Sequence, residues 1–173
     1  MRSLIAALAA TTMLAQPVLA ATPTRCPTPA EQSMFELAAL KSELMVLATG
    51  CQRGEQYNAF VQRYRPQLLE VDKNLNAHFR RTSGARGQAE ADRFITDLAN
   101  AQSTEANVLA GDHCPRNSAI FTEVMALSGP ADLPLYAAGK DLIPASLQTC
   151  APVHAPAAAR PASTRSTSTT TRR

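Results

Sequence analysis

Four cysteines, three histidines and fourteen carboxylates are the groups of this 173-residue chain from which chemistry could be built. Their spacing decides which chemistry. Cys26, Cys51, Cys114 and Cys150 form neither a CxxC pair nor a CxxC–HxxxH set, so no zinc site is expected, and His113-Cys114 are chain neighbours, which rarely serve together as ligands. A redox pair would also be closely spaced, and these four read instead as two structural disulfides. No GxSxG elbow, HExxH pair, phosphate-cradling Walker loop or GxGxxG turn occurs. No cofactor and no metal is expected, and a Ser/His/Asp triad has no spacing in its favour.

Paired carboxylates are the remaining catalytic possibility. Glycan cleavage needs two acids facing each other across a cleft, one of them holding its proton near neutrality. Glu43 lies beside an apolar stripe of the first helix, and Asp92 or Asp97 on the third could face it. The plainer reading leaves all three on solvated faces and is preferred. His78 reads as a surface or partly packed helix residue, His113 as a loop residue beside a disulfide, and His154 lies in the tail.

The most distinctive polar feature is the stretch Arg80, Arg81, Thr82, Ser83, Gly84, Ala85, Arg86, Gly87. Three arginines, two hydroxyls and two glycines directly precede a helix start, where free N–H groups favour anions, so Arg80, Arg81, Ser83, Gly84, Arg86 and Gly87 form a candidate anion-binding loop for a phosphate, a carboxylate or an acidic glycan. The structural alternative makes Gly84 a helix C-cap and leaves the arginines to complement the helix end. Asn100, Gln102, Ser103 and Asn107 make a second polar cluster, which either lines a pocket or marks a frayed segment.

Compartment follows from the first residues. Residues 1–20 show Arg2, an apolar stretch from Leu4 to Leu14 and Val18-Leu19-Ala20, the pattern of a cleaved signal peptide and too short for a membrane span. The chain is therefore expected to be exported to the periplasm or outside the cell, where paired cysteines oxidise. Residues 21–150 carry twelve Lys and Arg against fourteen Asp and Glu, whereas residues 151–173 carry four arginines and no acid. The basic balance thus belongs to the tail, which argues against a specific nucleic-acid surface on the folded part. The tail itself, rich in Ala, Pro, Ser and Thr, has almost nothing to bury and is expected to be disordered.

The elements that must position these groups are helical. Thr28-Pro29-Ala30-Glu31 reads as a capping box, followed by an apolar stripe at Leu37, Leu40, Leu44, Leu47 and Cys51 that Gly50 stops. A second helix carries Tyr57, Phe60, Val61, Tyr64, Leu68, Val71, Leu75 and Phe79, kinked at Pro66 with its phase kept. A third begins near Gln88 and continues, with a weak point near Ser103, to Val108-Leu109, where Gly111 stops it; a fourth opens at Pro115; one short turn precedes an irregular strap to Cys150. No strand alternation is present. The first helix spans about 30 Å, and a disulfide tolerates about 7 Å between Cα atoms, so Cys26 and Cys51 cannot join across it. An up-and-down chain then pairs Cys51 with Cys114 and Cys26 with Cys150.

The expected fold is all-α, a single-domain antiparallel bundle of about four helices with two structural disulfides. The expected function is an exported, non-enzymatic binding, inhibitory or envelope-associated protein, monomeric, with no transmembrane anchor, whose partner is an unknown protein or an anionic envelope polymer. The alternative is a small cell-envelope hydrolase acting on glycan through paired carboxylates.

Overall fold

The computed structural model describes residues 26–148, and among them all regular structure is helical, with no strand. The first helix, α1 (Pro29–Gly50), starts where its capping box does: Glu31 N–H donates to Thr28 Oγ1, and Thr28 N–H donates back to Glu31 Oε2 at 2.9 Å. Pro29 occupies the first helical position, where its missing N–H costs nothing. The helix ends at Gly50 as expected, although that glycine keeps a helical conformation and is not the residue that turns the chain. Cys51 N–H closes the last turn on Leu47 O, and Gln52 supplies the left-handed residue at φ 56°.

Helices α2 (Gly54–Arg63) and α3 (Arg65–Ser83) are the expected kinked pair. Hydrogen bonding passes through the junction, since Tyr64 N–H reaches Phe60 O and Leu68 N–H reaches Tyr64 O, both at 3.0 Å. The missing N–H of Pro66 loosens the ladder without resetting it. The stripe therefore stays in phase, with Phe60, Tyr64, Leu68, Val71 and Leu75 all buried. Tyr64, fully buried, donates its hydroxyl to Val124 O at 2.6 Å, and Arg63 reaches Leu127 O at 2.7 Å.

A 3-10 turn (Gly84–Arg86) joins α3 to α4 (Gly87–Leu109). Its two glycines serve different ends. Gly84 takes φ +56°, whereas Gly87 has an ordinary helical φ but lies so close to α3 that a Cβ would stand 2.6 Å from Arg80 Cα. Helix α4 is continuous past Ser103 and ends at Leu109 as expected, with Ala110 at φ 47°, not Gly111, as the residue that turns the chain.

The expected fourth helix is two segments, α5 (His113–Asn117) and α6 (Ala119–Met125), and it begins ahead of Pro115. They part at Ser118, whose hydroxyl and N–H both donate to Cys114 O, a side chain competing with the helix ladder. After a 3-10 turn (Pro130–Asp132), α7 (Leu133–Ala138) leads into a strap, residues 139–148, carrying one more such turn (Ala145–Leu147). The expected count of about four helices is thus too low, because kinks and short turns divide the described chain into seven.

Direction follows from which residues meet. Glu31 meets His78 and Lys41 meets Asp72, so α1 and α3 run antiparallel. Phe35 meets Phe94, Ala39 O accepts from Gln102, and Cys51 is bonded to Cys114, so α1 and α4 run parallel with α3 as the return. The Cys51–Cys114 bridge joins Cα atoms 5.6 Å apart as expected, while the Cys26–Cys150 pairing involves a residue outside the described ones.

Helix α1 departs most from its sequence pattern. One stripe was expected to face inward, yet Leu37, Ala38, Ala39 and Leu40 are all buried in succession, with Met34, Phe35, Ser42, Leu44 and Leu47. Four consecutive residues sweep round the whole circumference, so α1 is the central post, packed by α2, α3, α4 and α7.

Two outcomes are expected in chaotrope melts. Gly87→Ala should destabilise the fold by about 1–3 kcal/mol through overpacking against fixed backbone. Replacing Cys51 and Cys114 together by serine should cost about 4 kcal/mol, the chain-entropy value for a closed loop of this length.

Candidate functional site

The arginine-rich stretch sits at one end of the α3–α4 hairpin. Arg80, Arg81 and Ser83 occupy the last turn of α3, Arg86 lies in the 3-10 turn, and Arg80, Arg81 and Arg86 are exposed. Arg81 reaches Glu31 Oε1 at 3.4 Å, and Glu31 also faces His78 Nδ1 at 3.0 Å, so this guanidinium helps tie the start of α1 to the end of α3. Gly84 and Gly87 are used for the turn and the close approach. None of the six residues lines either of the cavities described next.

The larger cavity, about 740 Å³, is a groove between the start of α1, the end of α3, the first half of α4 and the strap. Three phenylalanines from three helices build its apolar wall: the Phe94 ring lies 5.2 Å from that of Phe35 and 5.8 Å from that of Phe79. Ile143 and Leu147 of the strap add to it. Charge at the groove is one-sided, with Glu36, Glu90, Asp97 and Asp141 against Arg93 and His78. Arg93 lies 3.9 Å from Glu90, and His78 is turned to Glu31. Among the described residues, Glu36, Asp97 and Asp141 have no ion-pair partner.

The smaller cavity, about 410 Å³, is a polar cleft between α1, α4, α5 and the strap, lined by Glu43, Gln102, Glu105, His113 and Asn117 among others. Gln102 is 3% exposed, and its Nε2 donates to Ala39 O at 3.0 Å and Leu142 O at 3.3 Å. Two carbonyls fix the amide orientation and leave Oε1 buried without a donor. His113 is 6% exposed; Asn117 Nδ2 lies 3.1 Å from its Nδ1, and its Nε2 is buried without a partner. Burial, reinforced by the neighbouring Glu105 charge, pushes the Glu43 carboxyl up to about 7. Lys140 lines the cleft but bonds Glu123, whose carboxyl is held below its ordinary range by hydrogen bonds from Lys140 and Tyr136.

Glu43 therefore faces a second acid, though neither of those expected. Asp92 is exposed and accepts from Gln88 at 3.0 Å, while Asp97 opens on the apolar groove. The acid opposite is Glu105, and a signal for it lay in the cysteine pairing. The Cys51–Cys114 bridge spans 63 residues, and Gln102 meets Ala39 across the same offset of 63. That register sets Glu43 beside position 106, one residue from Glu105. Of the second polar cluster, Gln102 lines the cleft, whereas Asn100 and Asn107 are exposed on an unbroken helix. Among the described residues, no group of three or more His, Cys, Asp or Glu could hold a metal ion, and no helix is long and apolar enough to cross a membrane.

The Glu43 shift has a stability consequence of definite sign. Folded Glu43 keeps its proton to about 7, while the unfolded residue releases it near 4.5, so the folded state binds more protons between those values. Its contribution is most favourable at low pH and is lost as pH rises through 7. Glu43→Gln should therefore raise the melting temperature more at pH 8 than at pH 5, and an equal change at both pH values would contradict this. The chain matches no protein-family model, no curated protein and no solved structure.

Proposed function

We propose that this chain is an exported, non-enzymatic binding protein whose groove takes a small amphiphile with an apolar body and a cationic group. The observation that carries the reading is the union of three phenylalanine side chains with a surplus of carboxylates in one cavity of about 740 Å³, within the usual size of small-molecule sites. Apolar burial would supply affinity, and Glu36, Asp97 and Asp141 would select charge. Export rests on the leader-like residues 1–20 and agrees with the Cys51–Cys114 bridge. A second bridge, Cys26–Cys150, would tie the strap side of the groove to the start of α1, since Cys26 and Gln148 both line it. The basic tail and the Arg80–Arg86 elbow would add weak, salt-sensitive attraction to anionic envelope polymers, and the protein would act as a monomer.

A second reading, a small envelope hydrolase, has one observation in its favour: Glu43 retains a proton near neutrality beside Glu105, as a general acid requires. Release of reducing ends from envelope glycan, abolished in Glu43→Gln, would decide for it; no release is expected.

The binding reading is tested by calorimetry with octylamine, octanol and octanoate. Octylamine should bind most tightly and octanoate least. Asp97→Asn should weaken octylamine about threefold, the scale of one exposed charge pair, and leave octanol unchanged. Equal binding of all three, or of none, would remove the reading.

A further inference from the structure

The polar cleft is separate chemistry from the groove, although Asp141, Ile143 and Gln148 of the strap border both. Glu43 and Glu105 have neither a hydrogen bond nor an ion pair among the described residues, and Gln102 Oε1 is buried without a donor. Three acceptor-bearing residues from two parallel helices thus line one cavity, whose own unpartnered group, His113 Nε2, is a single nitrogen against five side-chain oxygens. The buried Gln102 Oε1 and the partly buried Glu43 carboxyl cost stability in this state, which a ligand carrying donors would recover, while the exposed Glu105 adds charge at the rim. Two of the three are carboxyls, so a positive ligand is favoured over a neutral one.

We propose that this cleft binds the primary ammonium group of a small organic amine, whose three N–H donors are taken by Glu43, Glu105 and Gln102 Oε1. The site lies beyond the amphiphile groove and does not depend on it. Cation binding requires Glu43 to be ionised. Because the free carboxyl holds its proton to about 7, an amine entering at pH 6 must displace that proton into solvent. The other titratable groups facing Glu43 are Glu105 on α4, His113 on α5, and Lys140 and Asp141 of the strap. Lys140 is engaged by Glu123 and does not neutralise the pair.

The test uses the full chain and ethylamine, too short to exploit the phenylalanine wall, with tetramethylammonium as a cation of equal charge lacking N–H donors. Calorimetry at pH 6 in two buffers of different ionisation enthalpy should show ethylammonium binding with proton release, and affinity about tenfold higher at pH 8, the factor set by the ionised fraction of Glu43. Tetramethylammonium should not bind. Glu105→Gln, at an exposed position that leaves the core intact, should weaken ethylammonium severalfold, and Glu43→Gln should weaken it further and abolish proton release. Equal binding of tetramethylammonium, or no ethylammonium binding at 50 mM (about fiftyfold above a millimolar Kd), would overturn the site. So would a pH dependence that survives in Glu43→Gln, since it would then belong to His113. Asp97→Asn should leave ethylammonium untouched, so failure here and failure of the groove reading are separable.

Discussion

Burial of the middle of α1, Leu37 to Leu40, on every side is the constraint from which the rest of the structure follows. A helix with water on one side needs only one apolar stripe, but Leu37, Ala38, Ala39 and Leu40 leave no side for water. Each fully buried leucine contributes about 2 kcal/mol on transfer, and the small alanines let neighbouring backbones come close. Helices α2, α3, α4 and α7 are arranged as a sleeve around that post. Both cavities are consequently flaws in the sleeve, bounded on one side by α1: the groove reaches Phe35 and Glu36, and the cleft reaches Glu43.

The Cys51–Cys114 bridge acts on this arrangement as a register pin. It locks α1 and α4 parallel at an offset that Gln102 repeats at Ala39. At that offset Glu43 and Glu105 are held near each other instead of sliding apart to separate solvated positions. Burial there disfavours the charged form of Glu43, and the nearby Glu105 charge adds to it, so the Glu43 carboxyl is pushed up to about 7. The strap that borders both cavities is tied to the same register, since its Leu142 carbonyl accepts from Gln102.

The two cavities divide recognition between apolar surface and hydrogen bonding. Phe35, Phe79 and Phe94 come from three different helices, so the groove exists only when α1, α3 and α4 are assembled. The capping residue Glu31 takes part as well. It closes the first turn of α1, faces His78 and receives Arg81, so one carboxylate joins the start of the central post to the end of the helix that borders the groove.

Local chemistry was legible in the sequence. Thr28 to Glu31 starts α1 because the cap, the proline and the returning carboxylate are all within four residues. Pro66 kinks without breaking phase because only one N–H is missing, and Cys51 pairs with Cys114 because helix length excludes Cys26. Helix ends were less legible: Gln52 and Ala110 turn the chain where Gly50 and Gly111 were available, since packing, not intrinsic preference, sets where a helix must stop. Gly87 looks in sequence like a flexible loop residue and is in fact a contact surface, because its role depends on α3 backbone that is distant until the hairpin closes. Glu105 shows no local mark at all. Its partnership with Glu43, more than sixty positions away in sequence, arises from the register of two helices, and only the assembled tertiary structure brings desolvation and like charge to bear on the same carboxyl.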